Sequence, residues 1–281
     1  MSGDVVVLKF GGTSLGSPGR VRRAARRIRA HRRRGWAVVA VVSAMGHATD
    51  RILRWAAEVA PGQPVAPVGG AVDDEAPRGT GWEREGAAFG RDLGRELDRA
   101  LATGEDLSAA LLALALTAIG VPARSLRGGE AGVWGGGAFG AGEIRRVDCG
   151  PIRRLLADGV VPVVSGFQAA RDDGETVTLG RGGSDTSAVA IAAALGAARC
   201  DIVTDVDAVY DRDPRLDPAA RRFESLDYAS LVALAEGGAQ VVHPAAARLA
   251  ARYGVPLRVY AYRAPWRGGG TTIGEKSWEA A

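Results

Sequence analysis

Short apolar runs alternate with amphipathic stretches along most of the chain. Val5-Val6-Val7-Leu8 is a β-branched run ending in a glycine turn, and Val21, Ala24, Ala25 and Ile28 then recur at helical spacing, so the chain opens as strand, loop, helix. Ala37 to Val42 is a second buried strand. It ends at Ser43-Ala44-Met45-Gly46, and a helix that Thr49 or Asp50 could cap runs on to Val59. From Pro61 to about Gly90 the apolar period is lost among Pro, Gly and acidic residues, which predicts an insertion or mobile loop. Helical patterning returns over Gly94 to Leu101 and again over Glu105 to Ile119, and Gly120-Val121-Pro122 breaks it. The glycine-crowded stretch Gly128 to Gly142 reads as irregular surface connection.

The second half repeats the theme. Leu155-Leu156 closes a helix that leads into the strand Val160 to Val164, and Gly180 to Asp185 is a glycine-rich loop opening onto a helix from Ala188 to Leu195. Asp201 to Thr204 and Leu257 to Tyr260 read as strands, Leu226 to Leu234 and Pro244 to Tyr253 as helices. Alternating strands and helices predict a mostly parallel sheet covered on both faces, with ligands outside the carboxyl ends of its strands.

Composition adds little to this and excludes several classes. With 281 residues, 47% of them hydrophobic, the chain can fill a sizeable core. The formal net charge is +4, and nearly all basic residues are Arg, Lys occurring only at Lys9 and Lys276. The densest basic run, Arg20 to Arg34, fits the solvated side of an amphipathic helix; without interleaved aromatics or a binding motif it predicts no nucleic-acid partner. Cys149 and Cys200 are far apart and lack a CxxC pattern, so neither a disulfide framework nor a zinc site is indicated. The chain shows no signal-peptide plan and no apolar stretch of spanning length, which predicts a cytoplasmic protein without membrane contact.

The residues that carry chemistry cluster at the predicted strand ends. Gly11-Gly12 after the first strand would let backbone N–H groups approach phosphate oxygens, with the Lys9 ammonium beside them. Neither a Walker loop nor a dinucleotide fingerprint is present. The second glycine loop combines Arg181, a bidentate carboxylate clamp, with Ser184 and Asp185 at a helix start. Taken alone, it reads better as a helix entry capped by Asp185 or Ser184 with Arg181 solvated. The acidic stretch from Asp205 to Arg215 follows a strand and holds four aspartates and Tyr210, which could contact nucleotide, magnesium or only water. Magnesium takes one or two protein carboxylates besides phosphate oxygens, so the four acids are no dedicated cage and an acidic surface loop stays open. By spacing, Glu105 is a helix-start glutamate favoured by the dipole.

In order, Lys9-Phe10-Gly11-Gly12-Thr13-Ser14, Val41 to Gly46, Ala102-Thr103-Gly104-Glu105, Thr178 to Asp185, Thr204-Asp205-Val206 and Asp213-Pro214-Arg215 resemble the aspartate kinases of the amino-acid-kinase family. The first and fourth segments are the most specific. The resemblance implies a three-layer α/β/α sandwich with a mostly parallel central sheet, one catalytic domain over 1–281, and ATP with Mg2+ as phosphoryl donor. It implies L-aspartate as acceptor and 4-phospho-L-aspartate as product. Lys9 would neutralise the transferring phosphoryl group, and Gly11 and Gly12 would donate N–H bonds to phosphate. Ser43 and Thr49 would contact aspartate, Glu105 its α-ammonium and Arg181 its α-carboxylate. Asp185 would organise Lys9 or magnesium-linked water, with Ser184 beside it, while Thr204, Asp205, Tyr210 and Arg215 would border the nucleotide; no residue is named as a metal ligand. A homodimer is implied as well.

The sequence departs from the family pattern at Asp207-Ala208, at Gln240 and in the segment Trp134 to Gly140. Typical aspartate kinases continue into regulatory ACT domains, whereas this sequence runs only about eight residues past Gly270-Thr271-Thr272-Ile273. The reading expects no ACT domain and no feedback control by lysine or threonine, unless a separate chain supplies it. His243 reads as structural, having no second ligand or triad partner nearby. Two alternatives stay open: the same chemistry on an aspartate analogue through a pocket reshaped by Trp134, and a non-catalytic nucleotide-binding partner subunit.

Overall fold

The fold is that of a computed structural model, described over residues 4–63, 83–212, 214, 217, 219–238, 241–264 and 269–274, with backbone only for 83–89. β1 (Val5–Phe10) is followed by the single-turn α1 (Gly12–Leu15), α2 (Pro18–Arg32), β2 (Ala37–Val42) and α3 (Ala48–Val59). α4 (Glu83–Thr117) leads to β3 (Ala123–Leu126), β4 (Val133–Gly136), β5 (Glu143–Val147), α5 (Gly150–Ala157), β6 (Val161–Ser165), β7 (Gln168–Ala170) and β8 (Thr176–Thr178). Next come α6 (Gly183–Leu195), β9 (Arg199–Thr204), β10 (Val209–Tyr210), β11 (Arg222–Phe223) and β12 (Ser225–Leu226). α7 (Tyr228–Glu236), α8 (Pro244–Tyr253), β13 (Leu257–Ala261) and β14 (Thr271–Ile273) complete the order.

Eight strands form the central sheet in the order β12-β14-β13-β9-β1-β2-β6-β3. Its pairings are parallel except β13 with β14. The pleat sorts β1 into two sets: Val6, Leu8 and Phe10 pack with Val21, Ala24 and Ile28 of α2 and with Leu112 and Leu116 of α4. Val7 instead joins Val189 and Ile191 of α6 and Ile152 of α5 on the other face. Two apolar layers thus sandwich the sheet, and Lys9, in phase with Val7, lies on the α6 side. A smaller sheet, β5-β4-β7-β8, stands beside the main one.

Ser17 caps α2, its Oγ accepting from the Arg20 N–H at 3.3 Å, and Pro18 takes the first turn. Part of the basic run is drawn onto aromatics. Arg20 lies 4.9 Å from the Tyr262 ring and Arg27 4.9 Å from the Tyr260 ring.

Four expectations are corrected. The helices expected over Gly94–Leu101 and Glu105–Ile119 are one continuous α4, because Gly104 is spared for packing rather than for a break: a Cβ there would come within 2.8 Å of the Ala44 Cβ. Of the loop expected over 61–90, residues 83–90 belong to that helix, and 64–82 lie outside the described residues. The stretch Gly128–Gly142 contains β4 and the turn of a β4–β5 hairpin; a Cβ at Gly135 would meet the Ala169 Cβ at 2.8 Å, so glycine there permits close strand approach. Residues 90–117 of α4 are long and apolar enough to cross a membrane, contrary to the expectation, yet half of an 18-residue apolar window within them is buried inside the protein. It is a core helix.

Candidate active site

Because β9, β1, β2 and β6 are parallel neighbours, their carboxyl ends share one edge of the sheet. The chain holds these ends together through backbone bonds. Gly11 N–H donates to Val203 O at 3.0 Å, Ser43 N–H to Phe10 O at 3.0 Å, Gly46 N–H to Gly12 O at 2.9 Å and Gly166 N–H to Val42 O at 3.0 Å. Ser14 Oγ adds a bond to Val203 O at 3.0 Å.

Lys9 and Asp185 meet at this edge. Lys9 Nζ lies 2.7 Å from Asp185 Oδ1, and both side chains are almost wholly covered. β1 delivers the ammonium and the first turn of α6 delivers the carboxylate, because Gly182 (φ +69°) turns the chain sharply into the helix. Asp185 Oδ2 accepts from the His243 N–H at 3.4 Å, and His243 also caps α8, its Nδ1 accepting from Ala245 N–H at 3.4 Å. A Cβ on Gly182 would collide with the His243 side chain at its Cβ and Cγ. Burial is the main cause holding the His243 imidazole below its usual range.

Glu105 is buried in the middle of α4, not at a helix start, so the dipole argument for it fails. Its Oε1 accepts from the Ala44 N–H at 2.8 Å, while Oε2 is buried without a partner among the described residues. Burial pushes its carboxyl up to about 8, against the pull of the Ala44 bond and of the Lys9 charge. Half-buried Ser43 directly follows the neighbouring strand, β2. Thr49 is the second residue of α3, where His47 rather than Thr49 or Asp50 holds the cap position.

The two glycines after β1 differ. The Gly11 N–H expected to meet phosphate is already spent on Val203 O, which extends the β1–β9 ladder. Gly12 is the residue that opens α1, and a Cβ on it would lie 2.7 Å from Ala44 O, so this glycine also lets the 43–46 loop close over it. Thr204 ends β9 and Asp205 follows it, with Thr204 Oγ1 donating to Asp205 Oδ1 at 3.1 Å. Tyr210, on β10, donates to Asp207 Oδ1 at 3.0 Å, and burial followed by that acidic neighbour raises its phenol. Asp207 thus orients Tyr210 at the position where the sequence departs from the family pattern. Ser184 is buried on α6 against Gly166, where an added Cβ would come within 2.9 Å of the Ser184 Cβ. Arg181 is exposed at the mouth of the loop, in a groove of about 710 Å³ that it shares with Gly140, Thr186 and His243. Trp134 is engaged on the hairpin, its ring 4.4 Å from the Arg146 guanidinium. Arg215 and Gln240 lie outside the described residues.

Several supporting residues were not singled out from sequence. Asp106 accepts from Ser165 Oγ at 2.8 Å and Gln168 Nε2 at 3.1 Å, and lies 3.2 Å from Arg127 Nε. Phe167 adopts φ +66°, a conformation rare for a bulky residue, with its N–H donating to Ser187 Oγ at 3.1 Å. No local signal marks either, since each acts through partners far away in the chain.

A buried ammonium–carboxylate pair at the carboxyl edge of a parallel sheet, flanked by two glycine loops, suits transfer of a charged group. The sequence profile of the amino acid kinase family matches residues 4–261. The chain belongs to the amino acid kinase family. It is similar to an aspartokinase of Thermus thermophilus, at 41% identity over 255 residues, covering 91% of this chain and 56% of that protein. Aspartokinase 2 of Bacillus subtilis is 40% identical over 91% of this chain and 55% of its own length. This amino acid kinase therefore spans about half the length of the curated relatives it matches. Among solved structures, aspartate kinase from Synechocystis superposes with TM-score 0.73 at 38% identity, over 96% of this chain and 40% of that one. E. coli aspartokinase III in complex with aspartate and ADP gives TM-score 0.76 at 26% identity, over 98% and 65%.

Proposed function

We propose that this amino acid kinase transfers the γ-phosphoryl group of ATP to the β-carboxylate of L-aspartate, giving 4-phospho-L-aspartate and ADP. The observation that carries the reading is the 2.7 Å Lys9–Asp185 pair at the strand edge, with Glu105 Oε2 buried and unpartnered nearby. The likeness to aspartokinases supports the choice of acceptor.

A β-carboxylate oxygen attacks the γ-phosphorus, the bond from that phosphorus to the bridging β–γ oxygen breaks, and ADP leaves with the bond's electrons. The acceptor is already ionised near neutral pH, so no general base is needed. Catalysis rests on alignment and on neutralising charge spread over the phosphoryl oxygens. Lys9 supplies a compact, mobile cation that follows the group from donor to acceptor, and Asp185 holds it at the edge when the site is open. Glu105 takes the α-ammonium and Arg181 the α-carboxylate, which fixes the acceptor at both ends of its backbone. Thr204, Asp205 and Tyr210 border the nucleotide at the end of β9. Among the described residues no group of three or more His, Cys, Asp or Glu side chains is arranged to hold a metal ion. A magnesium ion carried on nucleotide phosphates needs only one or two carboxylates, which Asp185 and Asp205 offer; when bound it neutralises phosphate charge.

Acyl phosphate trapped with hydroxylamine tests the reading. Hydroxamate should form with ATP and aspartate, and Lys9→Ala should lower kcat by about a thousandfold or more while the variant still folds. Absence of hydroxamate with every amino acid tried overturns the proposal.

A further inference from the structure

Asp98 is fully buried on α4, and no cation pairs with it among the described residues. Its carboxylate is instead surrounded by donors. Oδ2 accepts from Thr178 N–H at 2.8 Å and Gly140 N–H at 3.0 Å, and Oδ1 from Thr178 Oγ1 at 2.7 Å and again from Gly140 N–H at 2.9 Å. Thr178 O in turn accepts from Gly142 N–H at 2.8 Å, so every polar group of this buried threonine is fixed. A buried carboxylate is costly to keep without a cation, and a purely packing role at this point would be met by an apolar residue.

What Asp98 holds leads directly to Arg181. After Thr178, Leu179 N–H donates to Phe167 O at 2.9 Å, and Gly180 O accepts from Gly183 N–H at 3.1 Å; Arg181 stands between these anchors. Gly140, the other residue held, packs its carbonyl 3.6 Å from where a Cβ on Gly180 would be. Asp98 and Glu105 are seven positions apart on one continuous helix, hence on nearly the same stripe and separated by about 10 Å along the axis.

We propose that Asp98 is a positioning residue for the acceptor site: by tying Thr178 and Gly140 to α4, it sets where Arg181 stands relative to Glu105. This inference rests on Glu105 and Arg181 gripping the two ends of an amino-acid acceptor. The helix then acts as a ruler between the two grips. Loss of the carboxylate leaves Thr178 and Gly140 N–H groups unpaired and lets the loop drift, which weakens acceptor binding and leaves the nucleotide side in place. Asparagine in the same position keeps one oxygen for both N–H groups and donates its amide to Thr178 Oγ1.

The test compares wild type, Asp98→Ala, Asp98→Asn, Arg181→Ala and the Asp98→Ala/Arg181→Ala double variant in the hydroxamate assay, with aspartate and ATP varied separately. Asp98→Ala should raise the aspartate KM about tenfold or more with the ATP KM within about threefold, and Asp98→Asn should restore it to within about threefold of wild type. In the Arg181→Ala background, Asp98→Ala should change the aspartate KM less than about twofold, because the two act as one unit. Parallel rises in both KM values, or full additivity with Arg181→Ala, overturn the inference. Where Asp98→Ala does not fold, Thr178→Val removes the hydroxyl bond alone and should raise the aspartate KM selectively; no change there overturns the proposal. An active wild type indifferent to these substitutions sinks this inference by itself. A wild type that phosphorylates no amino acid sinks the functional reading together with it.

Discussion

Glu105 holds one carboxylate oxygen on the Ala44 amide and buries the other with no partner. In the unfolded chain this group titrates near 4.5, and burial moves it to about 8 in the folded one. Between those values the native state keeps a proton that the unfolded state has lost. Its stabilising contribution is therefore complete below about pH 4.5 and is lost as pH rises through about 8, on the order of 1 kcal/mol per pH unit. Urea titrations of the ligand-free protein should show this fall, and Glu105→Gln should abolish it. An acceptor ammonium reverses the balance by favouring the ionised form. Aspartate affinity should then strengthen as pH rises from 6 towards 8, by up to about tenfold per unit, with a proton released on binding. Calorimetry in buffers of different ionisation enthalpy reads the released proton directly, and Glu105→Gln should release none. Lys9 and Asp185 were legible in sequence because each sits in a motif whose chemistry is local. Asp98, Asp106 and Gln168 were not, since a lone polar residue on a helix or strand gives no sign of the partner that will meet it 40 or more positions away.

At the scale of elements, the junction between α6 and α8 is the tightest support of the site. Gly182 must take a left-handed conformation, and it sits against the side chain of His243, which caps α8. Gly182→Ala should cost about 3 kcal/mol or more and lower activity with it, since the ring and the turn both have to move. Gly196, also left-handed (φ +64°) but with nothing within 4 Å, is the control: Gly196→Ala should cost only about 1 kcal/mol, the strain of the turn itself. Thermal or urea unfolding of the two variants checks the difference. The same distinction explains which elements could be read in advance. Ala37–Val42 declares itself by its unbroken apolar, β-branched run and Pro244–Tyr253 by its helical pattern, and the structure places β2 and α8 over the same residues. Gly104 and Gly135 mislead because glycine marks both a turn and a place where two backbones pass closely. Only the packed structure, with Ala44 against one and Ala169 against the other, shows that they belong to a helix and a strand.

The whole molecule places its chemistry on the ends of strands that are neighbours in space and distant in sequence. If the strand edge binds nucleotide as proposed, ADP at a hundredfold excess over its Kd should add about 2.7 kcal/mol of stability, a Tm rise on the order of 5 °C for a domain of this size. Thermal shift with and without ADP measures it, and Lys9→Ala should diminish the response. β1 lies at the middle of the eight-stranded sheet between β2 and β9, and the Ser14–Val203 bond joins residues 189 positions apart. At about 5–20 residues per second, a ribosome needs roughly 10 to 40 seconds between making the first strand and making its second neighbour. For that interval one side of a strongly apolar, β-branched segment has no ladder partner and is open to pairing with another nascent chain. The lysine that we assign to catalysis waits on that same strand, so the speed of synthesis and the supply of chaperones bear on how much of this protein ever assembles its site.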